Sequence, residues 1–208
     1  GMSGSALVVA LLLAGQAPAP STPARPAPPR PGLSWEEADS VTRVLHRIDR
    51  RLRSGRPASK DPIVVTEGQL NSFVNLTLAE KIPPEMSDLE LDLRQDRLGA
   101  RVRLDLDQLR AKMPQGGPAS LLSMLTGVVP VELSGRVESA EGLCRVELEE
   151  VFIGGVSLPP ALLAQIVSFA TRNEERPQGL DITAPVALPW TARQVRVRPG
   201  RALVDFYN

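Results

Sequence analysis

The chain has 208 residues, enough for one ordinary domain with a tail, and its 24 basic side chains balance its 24 acidic ones. A net charge of zero provides no overall field to attract nucleic acid, and an aromatic content of 3% argues against stacking platforms for single strands. Cys144 is the only cysteine and His46 the only histidine. No internal disulfide can therefore form, and a Cys/His zinc site lacks ligands. We expect no nucleic-acid partner, no metal and no cofactor.

The first 19 residues have the pattern of a signal peptide. A short apolar run at residues 6–14 is followed by the small residues Ala17 and Ala19, where a signal peptidase could cut. The positively charged start of such peptides is missing, and a short buried or membrane-embedded helix is the alternative interpretation. Residues 20–33 are rich in proline and alanine and predict an extended spacer without a core. We expect an exported, periplasmic or extracytoplasmic protein, anchored to the membrane if the leader is not cleaved.

Residues 34–208 predict a single domain that begins with a basic amphipathic helix at 34–56. Ser34 and Glu37 have the spacing of a capping box, and apolar residues then recur at helical intervals. The arginines of the opposite face are Arg43, Arg47, Arg50, Arg51 and Arg53. Attraction to anionic headgroups, worth ~1 kcal/mol per cation, favours docking at a membrane or partner surface. The alternative is a solvated helix face that the acidic strands balance.

The core at residues 62–208 begins with a short strand and a second helix. Thr66 and Gln69 predict another capping box, and the helix is expected to continue to residue 82. Leucines alternate with charged residues from 89 to 106, which predicts an antiparallel hairpin with one buried face. A helical turn is expected at 107–114 and a short apolar helix at 119–125.

Two further strands are predicted around a turn at 140–142. Their alternation slips by one residue at Glu149 and Glu150, as it does at a β-bulge, and Cys144 falls on the inner face, where a thiol is inert packing. A bend at Gly154 and Gly155 leads to an apolar helix at 160–170. That helix must be buried or line an apolar cavity, and it is shorter than the ~20 residues that span a bilayer. The remaining segments are extended.

These elements predict an α+β fold in which a curved antiparallel sheet wraps around two or three apolar helices. No phosphate-binding loop, nucleophile elbow or dinucleotide fingerprint is present. With a single histidine and scattered carboxylates, we expect no enzyme.

Two short segments carry a family resemblance. Residues 64–71, VVTEGQLN, resemble the t-e-x-x-l-N helix start of small exported bacterial proteins related to the tubular lipid-binding (TULIP-like) superfamily, many of which have no assigned activity. Residues 153–159, IGGVSLP, resemble their iG-x-l-x-lP segment, and the resemblance covers residues 63–208. It implies a curved antiparallel sheet around long helices, with an apolar groove for a lipid chain. The short apolar helix and the proline-rich leader depart from that pattern.

We therefore expect an exported, non-enzymatic protein that binds or shuttles a lipid or another apolar molecule in the bacterial cell envelope. The alternative is a structural or adaptor module of an envelope assembly that docks through the basic helix. Apolar helical positions supply the candidate groove residues, for which ordinary core packing is the competing interpretation. These residues are Leu70, Phe73, Val74, Leu78, Leu122, Leu125, Leu162, Leu163, Ile166 and Phe169.

Overall fold

The computed structural model describes residues 25–112, 125–170 and 177–207. The helices in these ranges are α1 (Trp35–Arg53), α2 (Glu67–Ser72), α3 (Leu106–Lys112) and α4 (Pro160–Ala170). The strands are β1 (Ile63–Thr66), β2 (Met86–Arg94), β3 (Arg97–Asp105), β4 (Val128–Ala140), β5 (Leu143–Ile153), β6 (Val156–Ser157), β7 (Val186–Ala187), β8 (Ala192–Arg198) and β9 (Arg201–Phe206). The predicted α+β class and antiparallel pairing are confirmed.

The strands form two sheets. The larger has the order β2-β3-β4-β5-β6, with β7 also paired to β5, and the smaller has the order β1-β9-β8. The hairpin turns of the larger sheet bond to β8. The Asp96 N–H donates to the Val197 carbonyl at 3.0 Å, and the Gly142 N–H donates to the Arg193 carbonyl at 2.7 Å. The two sheets are therefore joined through backbone hydrogen bonds as well as through apolar packing.

The hairpin and the bulge lie where the alternation predicts them. In β2, Leu89, Leu91 and Leu93 are all buried. Between β4 and β5, Ser134 pairs with Glu150 and Gly135 pairs with Leu148. Glu149 is therefore the extra residue of a β-bulge.

The second helix is shorter than predicted. Its capping box between Thr66 and Gln69 is present, but the α-helix ends at Ser72 and continues as a π-helical turn, Phe73–Thr77, and a 3-10 turn, Ala79–Lys81. The Asn75 side chain donates to the Asn71 carbonyl at 2.9 Å. The Leu78 N–H donates to the Phe73 carbonyl, five residues earlier, at 3.0 Å, which is the hydrogen bond of a π-helical turn.

The first capping box is also altered. The Ser34 hydroxyl accepts from the N–H groups of Glu36 and Glu37, at 3.2 and 3.5 Å. The Glu37 carboxylate does not return to the Ser34 N–H, which donates instead to the Ser72 hydroxyl at 3.0 Å. The box is thus completed by a residue of α2.

Part of the predicted spacer packs on the domain. Arg25 forms an ion pair with Asp39 at 2.7 Å, and the Trp35 indole N–H donates to the Pro26 carbonyl at 2.8 Å. Leu33 is buried in a small cluster beside α1. The predicted leader, and the apolar helix expected at 119–125 apart from Leu125, lie outside the described residues. Within the described ranges, every helix falls short of the length and apolarity that crossing a bilayer requires.

Candidate apolar binding groove

An apolar groove with a volume of about 50 Å³ lies between α1 and the smaller sheet. One wall is α1, through Val41, Val44, Leu45 and Ile48. The opposite wall is the smaller sheet, through Ile63, Val65, Ala192, Val195, Ala202, Val204 and Phe206. Leu70, Phe73 and the segment 188–190 complete the lining. Every lining residue within the described ranges is apolar, and half-exposed residues such as Val44 and Ile63 bring the groove to the molecular surface.

Two simple periodicities build these walls. The α1 positions at 41, 44, 45 and 48 follow helical spacing, so they form one stripe. In β1, Ile63 and Val65 face the groove, while Val64 points the other way and is 48% exposed. The groove therefore results from regular elements and does not depend on an irregular loop for its two main walls.

A strained turn contributes to the lining of the groove. Trp190 and Thr191 have φ angles of 54° and 60°, in the left-handed region that bulky and β-branched residues rarely adopt. The Ala192 N–H donates to the Pro189 carbonyl and the Tyr207 N–H to the Thr191 carbonyl, both at 3.0 Å. These bonds hold the turn, which places Trp190 in the groove wall.

The predicted groove residues divide between this groove and the main core. Leu70 and Phe73 line the groove. The main core contains four of the other candidates as buried residues: Val74, Leu78, Leu163 and Ile166. Two more candidates, Leu125 and Leu162, are half-buried and pack against this core. Leu122 and the side chain of Phe169 lie outside the described part of the chain. The described candidates therefore belong to one continuous apolar cluster, and two of them, Leu70 and Phe73, also line the groove.

The α1 groove residues and the smaller sheet were not among the sequence candidates. Their signals are present in the sequence, as the apolar stripe of α1 and the alternation at Ile63 and Val65. What the sequence does not show is that β1 pairs with β9, at the far end of the chain. That pairing places the strands opposite α1.

The predicted docking arginines all lie on α1, outside the lining of the groove. Arg53 pairs with Asp49 at 2.9 Å, and the Arg51 Nε donates to the Pro57 carbonyl at 2.8 Å. Arg43, Arg47 and Arg50 are exposed and form no ion pair with any residue that the structure describes. They are therefore available to an external anion.

Polar contacts fix the N-terminal half of α1 on α2. Ser72 is fully buried, and its hydroxyl donates to the Glu37 carboxylate at 3.1 Å while accepting from Ser34. The Gln69 side chain donates to the Ser40 hydroxyl at 2.9 Å. By contrast, the C-terminal half of α1 reaches the groove through apolar side chains only. Among the described residues, the hydrogen bonds to α2 therefore lie at the N-terminal half of the helix, while both halves contribute apolar side chains to the groove.

A second hollow, of about 380 Å³, lies on the outer face of the larger sheet and is polar. Each arginine of its lining is already paired with a carboxylate: Arg101 with Glu132 at 3.2 Å, Arg94 with Asp92 at 2.6 Å, and Arg97 with Glu149. Cys144 is 1% exposed, and burial raises the pKa of its thiol to about 11, with the Ser139 hydroxyl offsetting part of the rise. Over the described ranges, no three Cys, His, Asp or Glu residues are grouped to hold a metal ion.

Comparison with protein-family models finds no match for this chain, and a search of the curated proteins finds no similar sequence.

Proposed function

We propose that this protein is an exported, non-enzymatic protein of the bacterial cell envelope that binds or carries a lipid or another apolar molecule. The observation that supports the proposal is the wholly apolar lining of the groove between α1 and the smaller sheet. Removing apolar surface from water contributes about 25 cal/mol per Å². A ligand without polar groups in its buried part therefore suits this lining best.

The groove is too small to hold such a ligand unless one of its walls moves. Its volume of about 50 Å³ is near one third of the ~150 Å³ of an apolar cavity that binds benzene. The groove must widen to take an acyl chain. The C-terminal half of α1 is the wall that can move, because the polar contacts with α2 lie in the other half.

Tryptophan fluorescence tests the proposal directly. The chain has two tryptophans, Trp35 near the start of α1 and Trp190 in the groove wall. In a Trp35→Phe protein, titration with a long-chain fatty alcohol should shift the Trp190 emission to saturation. Val44→Phe, which fills the groove, should abolish the shift. Val64→Phe on the opposite face of β1 is the matched control and should preserve it.

Two results would contradict the proposal. One is an unchanged Trp190 emission at all alcohol concentrations, and the other is an equal response in the Val44→Phe and Val64→Phe proteins. Extraction and mass spectrometry of protein purified from cells provide an independent measurement, in which we expect a co-purifying apolar molecule.

A second candidate function is an adaptor that docks on an envelope partner through the basic face of α1. The observation that favours it is the absence of ion pairs at Arg43, Arg47 and Arg50 among the described residues. An Arg47→Glu/Arg50→Glu protein should lose a partner in pulldowns while keeping its circular dichroism spectrum. Retention of every partner by this variant would rule out the adaptor function.

A further inference from the structure

The groove has arginines on one rim. Val44 lines the groove, and Arg47 and Arg51 follow it by three and seven residues, which places them on the same side of α1. Ile48, also in the lining, precedes Arg51 by three residues. Arg50 and Arg53 lie on the side of the helix that faces away from this rim. One edge of an apolar site thus carries two guanidinium groups.

These two guanidinium groups have unused donors. Arg47 is exposed and makes no ion pair within the described ranges, and Arg51 uses its Nε for the Pro57 carbonyl. The one carboxylate of α1 beyond Val44 is Asp49, which pairs with Arg53. An anion at the rim would therefore meet donors that no described carboxylate already occupies.

We infer that the ligand of the groove is an anionic amphiphile, whose apolar chain lies against Trp190 and whose carboxylate or phosphate head binds Arg47 and Arg51. This inference rests on the proposed apolar binding function. The planar guanidinium fork matches both carboxylates and phosphates.

The test compares three probes of equal chain length on the Trp35→Phe protein, each below the concentration at which it aggregates or separates from water. They are hexadecanoate, hexadecyl phosphate and hexadecanol. Both anions should bind about tenfold more tightly than the alcohol at low salt, as expected for a charge-assisted hydrogen bond. The advantage should shrink as salt is added, because the rim is exposed. The stronger of the two anions identifies the head group.

Arg47→Gln/Arg51→Gln should remove the preference for anions and leave the affinity for hexadecanol unchanged. The matched control is Arg50→Gln/Arg53→Gln, which lowers the charge of the same helix equally and should retain the preference. Equal binding of all three probes, or an equal loss in both double variants, would overturn the inference while leaving apolar binding intact. Failure of all three probes to bind would instead reject the proposed function itself.

Discussion

The side chain of Asn71 pairs with both backbone polar groups of Leu91. Its Oδ1 accepts from the Leu91 N–H at 2.7 Å, and its Nδ2 donates to the Leu91 carbonyl at 2.8 Å. Asn71 is only 9% exposed, so these bonds replace water at an edge of the larger sheet. A helix side chain here occupies the place of a neighbouring strand.

The same contact repeats along the edge of β2. The Glu67 carboxylate accepts from the Leu93 N–H at 2.7 Å, and the Asn75 side chain donates to the Leu89 carbonyl at 2.8 Å. Four helical residues rise about 6 Å, close to the ~6.8 Å between alternate residues of a strand. This match lets one helix face cover an edge that would otherwise be open to pairing with another chain.

Asn71→Ala should lower the free energy of unfolding by about 2 to 6 kcal/mol, because it leaves two buried backbone groups of Leu91 unpaired and each costs roughly 1–3 kcal/mol. Urea denaturation measures the loss. Asn75→Ala is the control and should cost less, since the Leu89 carbonyl keeps a second donor in Arg30 at 2.7 Å. Equal losses in the two variants would contradict the expectation that the Asn71 contact with Leu91 stabilises the fold more than the Asn75 contact with Leu89.

Gly68 and Glu37 should be coupled. A Cβ added at Gly68 would lie 2.9 Å from Oε1 of Glu37, whose carboxylate is held by Ser72. Replacing glycine by alanine inside a helix ordinarily stabilises by about 1 kcal/mol. We expect that gain for Gly68→Ala in a Glu37→Ala background and no gain in the natural protein. A double-mutant cycle with additive effects would show that the close approach carries no energetic cost.

The sequence predicts the local elements of this fold well. The Thr66 and Gln69 box, the leucine alternation in β2 and the bulge at Glu149 each depend on residues a few positions apart. The physical preferences that produce them, capping and burial of alternate residues, can be evaluated without the rest of the chain.

Contacts between distant segments could not be predicted in the same way. Ser72 completes the cap of α1 from 38 residues away, and Asn71 reaches Leu91 across 20 residues. The groove needs β1 and β9 to pair, and neither strand carries a signal for the other. Hence the candidate list contained Leu70 and Phe73 but missed the walls that face them.

Cys144 should make stability depend on pH above neutrality. Burial raises the pKa of its thiol in the folded protein from 9.0 to about 11. Between these pH values the unfolded chain ionises while the folded one does not, so stability is full below pH 9 and falls up to pH 11. Two pKa units correspond to about 2.7 kcal/mol.

Urea denaturation between pH 8 and 11 measures the contribution of Cys144 when the natural protein is compared with Cys144→Ala. The two proteins share every other titrating group, so the difference between them comes from the thiol. The natural protein should lose about 2–3 kcal/mol more than the variant over this range. Parallel curves for the two proteins would contradict the assignment. Reaction of the thiol with a disulfide reagent at pH 8 should also require unfolding.

The C-terminal half of α1 should unfold locally more often than the N-terminal half. Amides of residues 45–49 should exchange with deuterium about tenfold faster than those of 39–43, because apolar packing against a groove holds the first set and α2 holds the second. Hexadecanol should slow exchange at 45–49 selectively. Ser72→Ala, which removes the α2 contact, should reduce the difference between the halves. Uniform exchange along the helix would contradict a movable C-terminal half.

Thr191→Asn should stabilise the protein. Thr191 is exposed and has a φ of 60°, where a β-branched side chain is strained and asparagine is tolerated. Relief of this strain should raise the free energy of unfolding by about 0.5 to 1 kcal/mol in urea denaturation. Thr191→Val keeps the branched Cβ and should give no gain. Trp190→Asn relieves the same kind of strain but removes the indole from the groove wall, so it should lose stability and amphiphile binding together. If Thr191→Asn also weakened amphiphile binding, the turn would serve the groove through its strain as well as through the position of Trp190.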